Sequence, residues 1–187
     1  VIGGQLLDIS LEAAGSESVE LANSVNRYKT AAYTIERPLH LGAAIAGASE
    51  ELIAAFRGYG HDIGIAYQLR DDQLGVFGDP AVTGKPAGDD LREGKRTELL
   101  ALALQRADES DPQAAATLRK LIGHTSDPQE LSRLAQIIAD SGAPEEIERR
   151  IDALTRSGLQ HLHAAQVDPA VTEALEQLAI KATARRK

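Results

Sequence analysis

Two neighbouring carboxylates, Asp71 and Asp72, stand one turn after Gln68 in the segment Tyr67–Thr97, YQLRDDQLGVFGDPAVTGKPAGDDLREGKRT. On a helix, Gln68, Asp71 and Asp72 fall at i, i+3 and i+4 and share one face. Side-by-side carboxylates repel, so such a face either meets water or holds a cation. A glycine-rich segment carrying Lys85, Lys95 and Arg96 follows. Carboxylates that take a hard divalent ion, beside lysines that meet phosphate oxygens, form a chemistry suited to gripping and ionising a diphosphate. A second cation, Lys29, lies next to Thr30 in the alanine-rich run KTAAYT, where small side chains let a ligand come close. An aspartate doublet or a lone mid-helix lysine is common on solvated surfaces; the grouping is what carries information.

The elements that must position these residues read almost entirely as helix. Apolar positions recur at helical spacing over Gly4–Ala14, Ser18–Glu36, Leu39–Ala48 and Glu50–Phe77. Pro38 is expected to interrupt or end the second of these. Gly58, Gly60 and Gly64 each cost helix stability, and so predict close helix packing or a kink. The stretch Gly78–Gly94 reads as a long functional loop. Helices are then predicted over Thr97–Ala107, Pro112–Ile122, Pro128–Asp140, Pro144–Ala165 and Pro169–Ala184. Asp111-Pro112, Asp127-Pro128 and Asp168-Pro169 each pair an N-cap carboxylate with a proline pre-set for the first turn. Asp127 with Glu130 fits a capping box. Ile147, Ile151 and Leu154, then Val171, Leu175 and Leu178, give single apolar stripes. The fold class is all-α, a helical bundle.

Composition narrows the function. The chain has 187 residues, of which 43% are hydrophobic and 26% charged, enough for one domain with a core. Its formal net charge of −8 makes a general nucleic-acid binder a poor reading, since a phosphate backbone demands a basic footprint. The absence of cysteine excludes thiol catalysis and Cys-ligated zinc, and agrees with a cytoplasmic setting. No apolar run approaches the ~20 residues of a membrane span. Gly78–Lys85 imitates a P-loop, but Pro86 stands where the hydroxyl residue belongs and a helix precedes it. The five histidines form no HExxH pair and read as structural or surface.

The motifs in their order resemble the C-terminal half of the all-trans polyprenyl diphosphate synthases. The likeness runs through GGQLLDI at Gly3–Ile9, YKTAAYT at Tyr28–Thr34, YQLRDDQLGVFGD at Tyr67–Asp79 and TGKPAGDDLREGKRT at Thr83–Thr97. It implies an isoprenoid-synthase-type helical bundle, and residues 1–187 as a single helical domain forming part of a larger one. The implied activity joins isopentenyl diphosphate to an allylic diphosphate, giving a short-chain product such as farnesyl or geranylgeranyl diphosphate, with Mg²⁺ as cofactor. Asp71 and Asp72 match the metal-binding aspartates of the second aspartate-rich motif, DDxxD. Gly75 replaces the motif's third aspartate, with Asp79 as a candidate to share its role. Lys29 and Lys85 match lysines on the allylic diphosphate, and Lys95 a further lysine near it. Thr30 and Gln68 match the pair beside the reacting carbons. The basic run Arg185–Lys187 corresponds to a segment that closes over isopentenyl diphosphate.

The resemblance also implies a homodimer and a cytoplasmic protein. The family's first aspartate-rich motif has no counterpart in these residues, and the chain starts at Val1. The expectation is therefore a fragment that is inactive alone. The rival reading is a non-catalytic partner subunit, against which the intact set Lys29, Thr30, Gln68, Asp71, Asp72 and Lys85 argues.

Overall fold

The computed structural model describes residues 1–84 and 86–184. Lys85 and the basic run Arg185–Lys187 lie outside the described residues. Every described element is helical: α1 (Ile2–Ala14), α2 (Val19–Val25), a π-helix π1 (Asn26–Glu36), α3 (Arg37–Ile45), α4 (Glu50–Phe77), α5 (Pro80–Thr83), α6 (Asp89–Glu93), α7 (Glu98–Ser110), α8 (Pro112–Leu121), α9 (Pro128–Asp140), α10 (Ala143–Ala164) and α11 (Pro169–Thr183). The all-α expectation is met. Among the described residues no helix is long and apolar enough to cross a membrane.

The punctuation in the sequence sets most boundaries. Asp111, Asp127 and Asp168 each accept backbone N–H groups at the start of α8, α9 and α11, with proline following. The capping box at α9 forms differently from the expectation. Glu130 N–H does donate to Asp127, but the Asp127 N–H turns to the Thr125 hydroxyl, and that hydroxyl bonds the Glu130 carboxylate. Thr125 therefore does the reciprocal work that the two-residue box assigns to Glu130.

The greatest departure is π1. The periodicity predicts one helix over Ser18–Glu36; instead α2 gives way at Asn26 to eleven residues of π-helix. Its wider turn is closed by i→i+5 bonds, as where the Arg37 N–H reaches the Ala32 carbonyl. Pro38 falls in the first turn of α3, where a missing N–H costs little, so the helical path passes through it.

The contacts of the chain fall into two compact units. One contains residues 1–7, 24–70 and 149–184. Its core gathers Phe56, Tyr59 and Ile63 of α4 with Ala43 of α3, Leu162 of α10 and Ala179 of α11. The Tyr59 hydroxyl donates to the Leu175 carbonyl at 2.8 Å, and burial pushes the phenol up to about 12. Of the stripe Val171, Leu175 and Leu178, Leu175 packs half-buried against this core, while Val171 and Leu178 are 44% and 59% exposed; Ala179 and Thr183 complete the buried side. A buried guanidinium ties down the end of α11, since Arg70 donates its Nε–H to the Thr183 carbonyl at 2.8 Å.

The second unit contains residues 8–23 and 71–148. Leu99 and Leu104 of α7, Leu118 of α8 and Leu134 and Ile138 of α9 are fully or almost fully buried and pack together. The long connection between α4 and α7 holds two short helices rather than irregular chain. Gly94 and Gly123 meet back to back, a Gly94 Cβ standing 3.0 Å from the Gly123 Cα. Both have φ near +75°, which side-chain-bearing residues rarely adopt, and Gly123 N–H bonds the Leu91 carbonyl at 2.9 Å.

Candidate functional site

Lys29 and Thr30 lie on π1 and are both half-buried. The π-helix is gripped by glycines from two neighbours. A Cβ on Gly4 of α1 would run into the Lys29 backbone, and Cβ atoms on Gly60 and Gly64 of α4 would stand 2.7 Å and 2.5 Å from the Cα atoms of Glu36 and Ala31. The α4 glycines therefore buy close backbone approach, the packing alternative that their spacing predicts. At that separation short polar side chains meet across the helices. The Thr30 hydroxyl donates to the Gln68 side-chain oxygen at 2.6 Å, joining residues 38 apart in sequence. Long π-helical stretches are rare, and short ones mark functional sites, so Lys29-Thr30 has a backbone signature besides its residue types.

Asp71 and Asp72 follow Gln68 on α4, in the second unit. The helix turns them differently: Asp71 is exposed and Asp72 is 4% exposed. Among the described residues no three His, Asp or Glu side chains gather into a complete metal cage. Asp79 closes the same segment. It caps α5 by accepting the Ala81 N–H at 2.8 Å.

The space beside Gly75 is filled by a residue to which the motifs assigned no role. A Cβ on Gly75 would overlap the carboxylate of Asp90 from α6. That carboxylate also bonds the Lys95 ammonium, which lies 3.2 Å from Glu93 as well. Burial works against the charge on Lys95, but the two carboxylates outweigh it and hold its pKa well above the usual lysine range. Lys95 is thus committed to Asp90 and Glu93. The signal for Asp90 was its place in a second Asp doublet, Asp89-Asp90, whose other member pairs with Arg92 at 2.7 Å.

Two of the histidines make contacts between helices. The His161 ring lies over Gly58 with its Nε2 3.7 Å from Asp62, and His163 pairs with Glu176 across α10 and α11.

A bundle built from helices, with an aspartate doublet on its longest member and a glutamine there that accepts from a threonine of π1, defines the class. The Polyprenyl synthetase family profile matches residues 1–140, and the chain belongs to that family. It superimposes along its whole length on a geranylgeranyl pyrophosphate synthase from Corynebacterium glutamicum, crystallised with isoprenyl diphosphate and magnesium, at 62% identity and a TM-score of 0.98, covering 52% of that chain. It is 44% identical over 106 residues to a geranylfarnesyl diphosphate synthase of Aeropyrum pernix, and 40% over 113 residues to a geranylgeranyl diphosphate synthase of Mycobacterium tuberculosis. Those matches take in 56% and 60% of this chain and 32% of each relative. The chain therefore spans about half the length of the solved relative and a third of the curated ones.

Proposed function

We propose that these residues form the C-terminal part of a larger synthase domain that condenses isopentenyl diphosphate with an allylic diphosphate. The observation that carries this reading is the Thr30–Gln68 hydrogen bond, on the helix that bears Asp71 and Asp72 in the next turn. The Thr30 hydroxyl fixes the orientation of the Gln68 amide by donating to its Oε1. The amide dipole so held would turn its negative end to the cation that forms when the allylic C–O bond breaks. The leaving diphosphate takes the bonding pair, with Lys29 and Lys85 meeting its oxygens. The double bond of isopentenyl diphosphate then attacks the allylic carbon, and a proton leaves to the departed diphosphate.

The donor set fits Mg²⁺. This ion takes one or two carboxylates and completes its octahedron with water and substrate phosphate, so an exposed Asp71 with a buried Asp72 beside it suffices where a full cage does not form. Bound there, it would supply charge neutralisation at the leaving group. Asp71 would take the direct contact, and Asp72 would hold a coordinated water. The shorter polyprenyl products, farnesyl or geranylgeranyl diphosphate, suit the relatives this chain resembles.

A homodimer in the cytoplasm belongs to the same reading. Ile2 and Leu6 of α1 and Leu41 and Ile45 of α3 are between 65% and 88% exposed, apolar side chains that a second subunit would cover.

Incorporation of labelled isopentenyl diphosphate tests the proposal. The 187 residues alone are expected to give no product. Joined to the part of the Corynebacterium glutamicum protein that they do not cover, they are expected to give a polyprenyl diphosphate in Mg²⁺, with a large loss on Gln68→Leu. Product from the chain alone, or none from the chimera, contradicts it.

A further inference from the structure

Position 75 is where the second aspartate motif ends, and in this chain it carries no side chain. Its emptiness has a use. Residues one turn apart on a helix have Cβ atoms about 5–6 Å from each other, so position 75 stands one turn from Asp71 and Asp72. The Asp90 carboxylate sits where a Cβ of residue 75 would be. A carboxylate therefore does lie at the third position of the motif, but it comes from α6 and enters through the notch that glycine leaves. Its side chain is only 10% exposed, and the Lys95 ammonium neutralises it there. The Lys95 N–H also bonds the Asp90 carbonyl at 3.0 Å, so backbone and side chain hold the lysine together. Gly88, with φ of +70°, starts α6 and brings Asp90 onto α4. Glu93, the other partner of Lys95, is 54% exposed and adds little restraint.

We propose that Asp90, seated on Gly75, is the positioning residue that fixes Lys95 beside the Asp71–Asp72 turn. Gly75 is then a seat for another residue's carboxylate and not a lost ligand. The inference rests on the diphosphate-binding reading and deepens it: Lys95 reaches a metal-bound diphosphate because Asp90 holds it there. An aspartate restored at position 75 would meet the Asp90 carboxylate with overlap and like charge, drive it off the helix and release the lysine.

Calorimetric titration of the 187-residue chain with inorganic diphosphate in Mg²⁺ tests this. Gly75→Asp, Asp90→Asn and Lys95→Met are each expected to weaken binding by about tenfold, as for loss of one charge-assisted contact. Because Asp90 acts through Lys95, the Asp90→Asn/Lys95→Met double variant should bind no more weakly than Lys95→Met alone. A purely structural role for Asp90 would instead give additive losses. Gly75→Asp binding as tightly as the parent or tighter, or additive losses in the double variant, overturns the proposal. Should Gly75→Asp fail to fold, the two variants at 90 and 95 decide alone. Absence of Mg²⁺-dependent binding in the parent overturns the diphosphate reading itself, and the role of Asp90 with it.

Discussion

On α4, Gly60 and Gly64 in one unit do a different thing from Gly75 in the other. At Gly60 and Gly64 the missing side chain admits a neighbouring backbone, and π1 lies against α4 closely enough for Thr30 to reach Gln68. At Gly75 it admits the end of a side chain, the Asp90 carboxylate with its lysine. A backbone cannot step aside, whereas a carboxylate can rotate away. The same residue type on the same helix is therefore a rigid requirement at Gly60 and Gly64 and an exchangeable arrangement at Gly75.

Substitution breaks that comparison most sharply at Gly64. Gly64→Val places its branch against the Ala31 backbone, and a loss of about 3 kcal/mol or more is expected in chemical denaturation, from overpacking with no flexible neighbour to yield. Gly75→Ala is expected to cost about 1–2 kcal/mol, most of it recovered when Asp90→Ala removes the obstructing carboxylate. A Gly64 variant cheaper than the Gly75 variant would reverse the distinction.

Smaller effects fall on features outside the glycines. Asp168→Ala removes the carboxylate that accepts the Ala170 N–H at 2.8 Å, and should cost about 1 kcal/mol by the same denaturation measurement. The smallest is pH-dependent. Arg119 bridges Glu17 and Asp108 in the second unit at 2.7 Å and 2.6 Å. Its hydrogen bond is the main cause that holds the Glu17 carboxyl below the usual range, against a smaller opposing contribution from burial. A depressed carboxyl stabilises the fold above its unfolded pKa, and that stability is lost as pH falls through the folded value. Glu17→Gln should therefore cost about 0.5 kcal/mol at pH 7, an exposed-pair magnitude, and progressively less as the pH is lowered through the acid range to pH 3. Equal losses at both pH values would contradict the assignment.

Much of the fold was legible because it is written in local chemistry. The Asp-Pro pairs placed three helix starts, and α4 has the bounds that its apolar spacing predicts. The π-helix was not legible, because eleven residues of i→i+5 bonding leave the same alanines and tyrosines in the sequence as an α-helix would. The face of α11 was read only in part: of its stripe Val171, Leu175 and Leu178, Leu175 meets the core, but the small Ala179 and Thr183 are the buried residues and carry no apolar signal as strong as Leu178. In the site, Thr30 and Gln68 were identified and the structure joins them. Lys95 was identified without Asp90, since a short-range charge pair seated on another helix depends on tertiary approach that spacing along one chain does not encode.

The central claim is that α4 carries a metal-assisted diphosphate site. Titration of the chain with an allylic diphosphate, with and without Mg²⁺, beside the Asp71→Ala variant, tests it most directly. The account predicts binding that needs Mg²⁺ and is lost in Asp71→Ala. Binding that is indifferent to Mg²⁺, or unchanged by the loss of Asp71, would contradict it.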